Sequence, residues 1–223
     1  CEYLQWLVLR SVHLRGFSKH LAFVGGTALR IVYGTNRFSE DLDYSLIPGH
    51  TLDFQDLVSS IITDITRLGL TASSSPIKEE KTVRSCFLRF SGLLYDLGIS
   101  PLRDQKISIK LEIDTNPPRG GVVEEHFHSG PVMFSVNHHD LPSLFAGKLH
   151  AILFRRYSKG RDFYDLMFLL SRKIPFNFTM LRNAIHQTNP EVSIRTTADV
   201  LDLIRNRLNH LDDRALREDL APF

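Results

Sequence analysis

With 223 residues, 43% apolar and 23% charged, the chain is long enough for one sizeable domain or two small lobes. Lysine plus arginine number 27 against 25 for aspartate plus glutamate, and this net charge of +2 excludes a protein that coats nucleic acid by bulk charge, though not a local basic stripe. Two cysteines, Cys1 and Cys86, give no disulfide framework, and no apolar run approaches the roughly 18 residues of a membrane helix. With no signal-like opening, the reading is a cytoplasmic protein without a membrane partner. The chain begins at Cys1 rather than methionine, so residues upstream are expected.

The spacing of Leu4, Leu7 and Val8 predicts a helix over 3–15. A short apolar run, 21–24, ends at Gly25 and Gly26, and Thr27 can cap a helix from Ala28 to Tyr33 that Gly34 stops. Residues 36–40 form a polar loop, and 41–46 alternate as a half-buried strand does. Leu57, Ile61, Ile65 and Leu68 predict a helix over 52–68. Strands follow at 83–90, 106–113 and 132–136, the last two separated by Pro117, Pro118, Gly120 and Gly121. From Asp140 the pattern is helical, at 141–155, 162–171, 178–187 and 197–208. Strands therefore fill the first two-thirds and helices the last third, an α/β lobe followed by a helical one.

Two stretches carry chemistry. In the first, FVGGTALR from Phe23 to Arg30, a strand ends in two glycines and a helix begins at once. Paired glycines permit a sharp turn and close approach of a ligand, and free amides at a helix start favour a phosphate. On the next strand Asp41 and Asp43 are two apart, so their carboxylates share one face while Leu42 and Tyr44 take the other. Two parallel carboxylates repel unless a cation sits between them, and hard oxygen ligands suit Mg²⁺ shared with substrate phosphates. In the second stretch the helix from 141 buries Leu141, Leu144, Phe145, Leu149 and Ile152. Lys148 falls in that stripe, four after Leu144 and four before Ile152. A lysine there must snorkel or meet an anion. Asp162 and Asp165 lie one turn apart on the following helix, opposite a face of Phe163, Leu166, Met167 and Leu170.

The pattern Gly25-Gly26-x-Ala28-Leu29-Arg30, then Arg37-x-Ser39-x-Asp41-x-Asp43, resembles motif I of the polymerase-β-like nucleotidyltransferase superfamily in the version of the AbiEii and MenT toxins. Lys148 to Ala151, then Arg155 or Arg156, then Arg161-Asp162-x-x-Asp165-Leu166, is similar to a second signature of those toxins. The resemblance implies a bilobed nucleotidyltransferase fold, a mixed-sheet α/β lobe at 1–139 and a helical lobe at 140–223 sharing one cleft. It implies an NTP substrate, a two-metal Mg²⁺ site, and transfer of NMP to an acceptor, tRNA or protein, by a toxin paired with a separate antitoxin. On this resemblance Gly25, Gly26, Thr27, Arg30, Arg37 and Ser39 bind the nucleotide, Asp41 and Asp43 hold metal, Lys148 neutralises the triphosphate, and Asp162 is functional. It also implies a third carboxylate on a later strand, as metal ligand and base. Lys110, Glu112 and Asp114 share one face of the strand at 106–114; either acid could serve, and the family pattern favours Glu112. A phosphotransferase acting on a small molecule and a non-catalytic nucleotide-binding module are the alternatives.

Other signals are weaker. His126 and His128, near His138 and His139, lack the i,i+4 spacing of a helical zinc site. Arg155, Arg156 and Lys159, with Arg172 and Lys173, form a basic cluster that reads as a solvated face or as a phosphate-backbone contact for an RNA acceptor. Arg205, Arg207, Arg214 and Arg217 alternate with acids and read as surface.

Overall fold

A computed structural model describes residues 1–79, 81–157 and 159–210 of the chain. Seven strands form one mixed sheet: β1 (Leu21–Val24), β2 (Leu42–Leu46), β3 (Thr71–Ser74), β4 (Val83–Ser91), β5 (Lys106–Asp114), β6 (Val123–Ser129) and β7 (Met133–His139). Their order is β3-β4-β5-β2-β1-β7-β6. β2 runs antiparallel to β1 and parallel to β5, while β1 and β7 are parallel.

The chain divides into two compact units. The first comprises residues 1–28, 39–116 and 124–138: the sheet with helices α1 (Glu2–Leu14), α3 (Phe54–Arg67) and α4 (Leu93–Asp96). Between α1 and α3 in sequence lies α2 (Gly25–Tyr33), whose last residues belong to the second unit. That unit holds 29–38, 117–123 and the chain from His139, with helices α5 (Leu141–Phe154), α6 (Gly160–Ser171), α7 (Phe178–Thr188) and α8 (Thr197–Leu208).

Local chemistry explains the elements. α3 starts at Asp53, whose carboxylate accepts from the Asp56 amide at 3.0 Å, and its Phe54, Leu57, Val58, Ile61 and Ile65 form one buried stripe. Each such side chain contributes about 1.5–3 kcal/mol by leaving water. α1 packs on α3 with Leu4, Leu7, Val8 and Val12 buried. The Ser11 hydroxyl donates to Asp64 at 2.7 Å on α3, and Arg15 pairs with the same carboxylate. In the second unit Asp140 caps α5, Asn177 caps α7, and Thr196 with Asp199 forms a capping box on α8.

The structure departs from the sequence reading at four kinds of place. β3, β6 and α4 have no counterpart in the predicted elements. β3 and β6 are the sheet edges, half-exposed and short or charged, so the apolar alternation that marks an inner strand is missing. Helix α2 begins at Gly25, which leaves Thr27 inside the first turn rather than at the cap. On α6 the carboxylates turn inward: Asp162, Asp165 and Leu169 are buried, Phe163 and Leu166 are half-buried, and Met167 is 66% and Leu170 50% exposed. Arg207 is not merely a surface charge. It donates to the Ile152 and Arg155 carbonyls at 3.0 and 2.8 Å and so satisfies the end of α5. Arg214 and Arg217 lie outside the described residues.

Candidate active site

Strand β1 runs into α2 through Gly25, whose φ of +78° is a left-handed conformation that side chains disfavour. The position is also closed by its neighbour. A Cβ on Gly25 would overlap the Asp43 carboxylate, with Asp43 Cβ and Cγ only 3.1 Å away. The register agrees, since Val24 pairs with Asp43 across the antiparallel β1–β2 ladder. Glycine is required here because the carboxylate takes the space.

The loop leading to the two aspartates is held by a buried hydroxyl. Thr27 donates to the Asp41 carbonyl and accepts from the Ser39 hydroxyl at 2.8 Å, and the Gln5 amide donates to the Ser39 carbonyl at 2.8 Å. Thr27 and Ser39 thereby bind the start of α2 to the start of β2, the segment that carries Asp41. Leu42 and Tyr44 fill the core on the opposite face, which fixes the side from which Asp41 and Asp43 project.

The parallel pairing of β2 with β5 sets Asp43 beside Glu112 and Ser45 beside Asp114. Residues in register on neighbouring strands present their side chains to the same face. Glu112 is thus the acid next to Asp43, and Lys110, two residues earlier, pairs with it at 2.8 Å. Asp114 lies one pair further along. Burial pushes its pKa up, opposed by the Asn116 amide that donates to it at 2.9 Å. Gly25, Gly26, Thr27, Ser39, Asp41, Asp43, Glu112 and Asp114 all fall in the first unit. Among the described residues no group of three or more His, Cys, Asp or Glu side chains is drawn together tightly enough to hold a metal ion.

The other motif residues, Arg30, Arg37, Lys148 and Asp162, fall in the second unit. Arg30 donates to the Thr35 carbonyl at 3.0 Å and lies 5.1 Å over the ring of Phe38. Lys148 meets anions rather than snorkelling: its ammonium is 3.0 Å from Asp162 and 2.7 Å from Asp165. Arg37, only 3% exposed, grips Asp165 with Nε and Nη2 at 2.8 and 2.7 Å and donates Nη1 to its neighbour's carbonyl at 2.8 Å. Arg155 pairs with Asp162. Burial alone would raise the pKa of Asp165, but the Arg37 hydrogen bonds and the charges of Lys148 and Arg37 outweigh it, and the net shift is downward.

This network explains the buried carboxylates of α6. A paired carboxylate is cheaper to bury than an isolated one, so the cations of α5 and of the 34–38 loop draw Asp162 and Asp165 inward. The sequence pattern places Arg155 in the second signature and in the basic cluster but does not pair it with Asp162. The signal was present, for 148 and 155 are seven apart, two turns along one face of the chain leaving α5.

The sheet with its strand–Gly-Gly–helix entry and Asp-x-Asp strand defines a nucleotidyltransferase fold, and solved structures agree. The chain covers 98% of its length on 87% of a protein from Helicobacter pylori described as a proposed nucleotidyltransferase, with a TM-score of 0.55 at 21% identity. It aligns over 99% of its length with 94% of JHP933 from the same organism, with a TM-score of 0.52 at 19% identity. Residues 7–223 match the family described as nucleotidyl transferase AbiEii toxin, type IV toxin–antitoxin system. The chain belongs to this family of nucleotidyltransferase toxins. No curated protein matches it. None of the described helices is long and apolar enough to cross a membrane.

Proposed function

We propose that the chain transfers a nucleoside monophosphate from an NTP to a hydroxyl of a tRNA acceptor, with Mg²⁺ as cofactor. The observation that carries this reading is the register that sets Glu112 beside Asp43, on the face that Gly25 leaves open. Asp41, Asp43 and Glu112 are hard oxygen donors of the kind magnesium takes, and the missing Cβ at residue 25 gives Asp43 room; their chemistry fits the ion, which would have to draw the three together on binding. When bound, that ion would neutralise charge on the phosphoryl oxygens.

The chain's own groups do the rest. The amides of Gly25 and Gly26 at the start of α2 receive phosphate oxygens. Glu112 accepts the proton of the acceptor hydroxyl as its oxygen attacks the α-phosphorus; the bond to the β-phosphate breaks and pyrophosphate leaves. In the second unit Asp162 and Asp165 hold the ammonium of Lys148, the residue to which the family resemblance gives the triphosphate's counter-charge. A cytoplasmic reaction follows from an NTP substrate, and release from a cognate antitoxin is the setting the family implies.

For the acceptor, RNA is favoured over protein by the loop after α5. Tyr157 is 67% exposed there with Arg156 at 5.1 Å over its ring, beside Arg155 and Lys159, a stacking surface among cations. The test is incubation with each labelled NTP, Mg²⁺ and total cellular RNA or protein. Label in tRNA with stoichiometric pyrophosphate is expected. Release of NDP would mean phosphoryl transfer instead, and label in protein alone would overturn the acceptor.

A further inference from the structure

We infer that Arg37 is a positioning residue for Lys148, acting through Asp165, and not a nucleotide contact. The inference rests on the reading of Lys148 as the triphosphate's counter-charge. Three donors of Arg37 are committed, two to Asp165 and one to the Phe38 carbonyl, so its planar fork faces the protein. Asp165 Oδ2 accepts from Arg37 and from Lys148 alike. The ammonium of Lys148 therefore sits where two carboxylates meet, one of them fixed by Arg37 and the other shared with Arg155.

The charges of these five side chains sum to +1. Arg37, Lys148 and Arg155 contribute three positive charges, and Asp162 and Asp165 two negative. Arg37 and Asp165 neutralise each other deep in the unit, which leaves the positive excess on the more accessible side, at Lys148 and Arg155. A network of this composition holds a lysine in place without cancelling its charge. That is the requirement for meeting a phosphate.

The experiment is a double-mutant cycle on NTP turnover and NTP binding, with Lys148→Met, Arg37→Lys and the combination. A lysine at 37 keeps the charge but loses the fork, so the Lys148 ammonium shifts. The expected loss is about 10²-fold in kcat/KM, the scale of a misplaced group. If Arg37 acts through Lys148, the combined variant is no slower than Lys148→Met alone. Additive losses, or an Arg37→Lys protein as active as the unmodified one, would overturn the inference and leave Lys148 standing. A Lys148→Met protein with normal turnover would instead overturn the reading of Lys148 itself, and the inference with it. Should Arg37→Lys fail to fold, the paired replacement Arg37→Met with Asp165→Leu removes both buried charges together and strands neither. It is expected to show the same non-additive loss.

Discussion

Gly25 and Asp43 are packed against each other across the β1–β2 ladder, glycine backbone against carboxylate, with no space for a methyl group between them. The turn that would receive a phosphate and a carboxylate that would hold a cation are therefore placed by one contact. Gly25→Ala is expected to lower turnover by about 10²-fold, because Asp43 must move to admit the Cβ. It should also cost about 1–2 kcal/mol of stability through the positive φ. Thermal melting and turnover measured together check this, and a normal rate at reduced melting temperature would separate the turn from the site.

Asp41→Ala and Asp43→Ala are expected to retain the fold and lose Mg²⁺-dependent turnover, since both side chains project away from the core that Leu42 and Tyr44 fill. Circular dichroism and an NTP turnover assay are sufficient. Wild-type turnover in both variants would reduce the pair to a solvated strand edge.

The two acids of β5 should behave differently. Glu112→Gln is expected to slow the chemical step by about 10²-fold or more, the usual scale of a lost general base. Asp114→Asn, which stands beside Ser45, should leave single-turnover rates close to normal. The reverse ranking would assign the base to Asp114.

Lys148→Met tests chemistry and stability at once. A charge about 4 Å from a phosphate at an effective dielectric near 20 is worth on the order of 4 kcal/mol, so turnover should fall by about 10³-fold. From the apolar stripe alone, methionine would fit as well as lysine or better. The two aspartates reverse that expectation, because losing the ammonium takes a close ion-pair partner from each of two buried carboxylates. A loss of about 2–3 kcal/mol is expected, less than for a pair with no second cation, since Arg37 and Arg155 remain. A urea titration measures it.

Asp165 gives a pH dependence of definite sign. Its pKa in the folded protein is held below its unfolded value of about 3.9. The stability it contributes is therefore complete above that value and is lost as pH falls through the folded pKa. Asp165→Asn should be destabilised at pH 7 and should show a shallower decline in unfolding free energy below about pH 4. Parallel pH curves for the two proteins would count against the charged network.

Much of the candidate site is legible in the sequence. The Gly-Gly turn, the Asp-x-Asp strand and the helix bearing Lys148 are local patterns, and local patterns survive in a single sequence. Strand register is not local. Nothing in residues 106–114 alone says that Glu112, rather than Asp114, lies beside Asp43, because that depends on how β5 slides along β2. The burial of Asp162 and Asp165 was hidden for a related reason. A helix with carboxylates on one side and Met167 and Leu170 on the other reads as amphipathic the usual way round, until Arg37, 128 residues before Asp165, supplies the opposing charge.

The order of the sheet also bears on motion. β5, β2 and β1 are each flanked by a strand on both sides, whereas β3 and β6 are bonded along one edge only. Amide protons of Asp43 and Glu112 should consequently exchange with solvent slowly, through opening of the whole unit, while those of the outer strands exchange by fraying. Heat inactivation would then coincide with loss of the sheet as a whole and not precede it, since the acids reside in the last segments to let go.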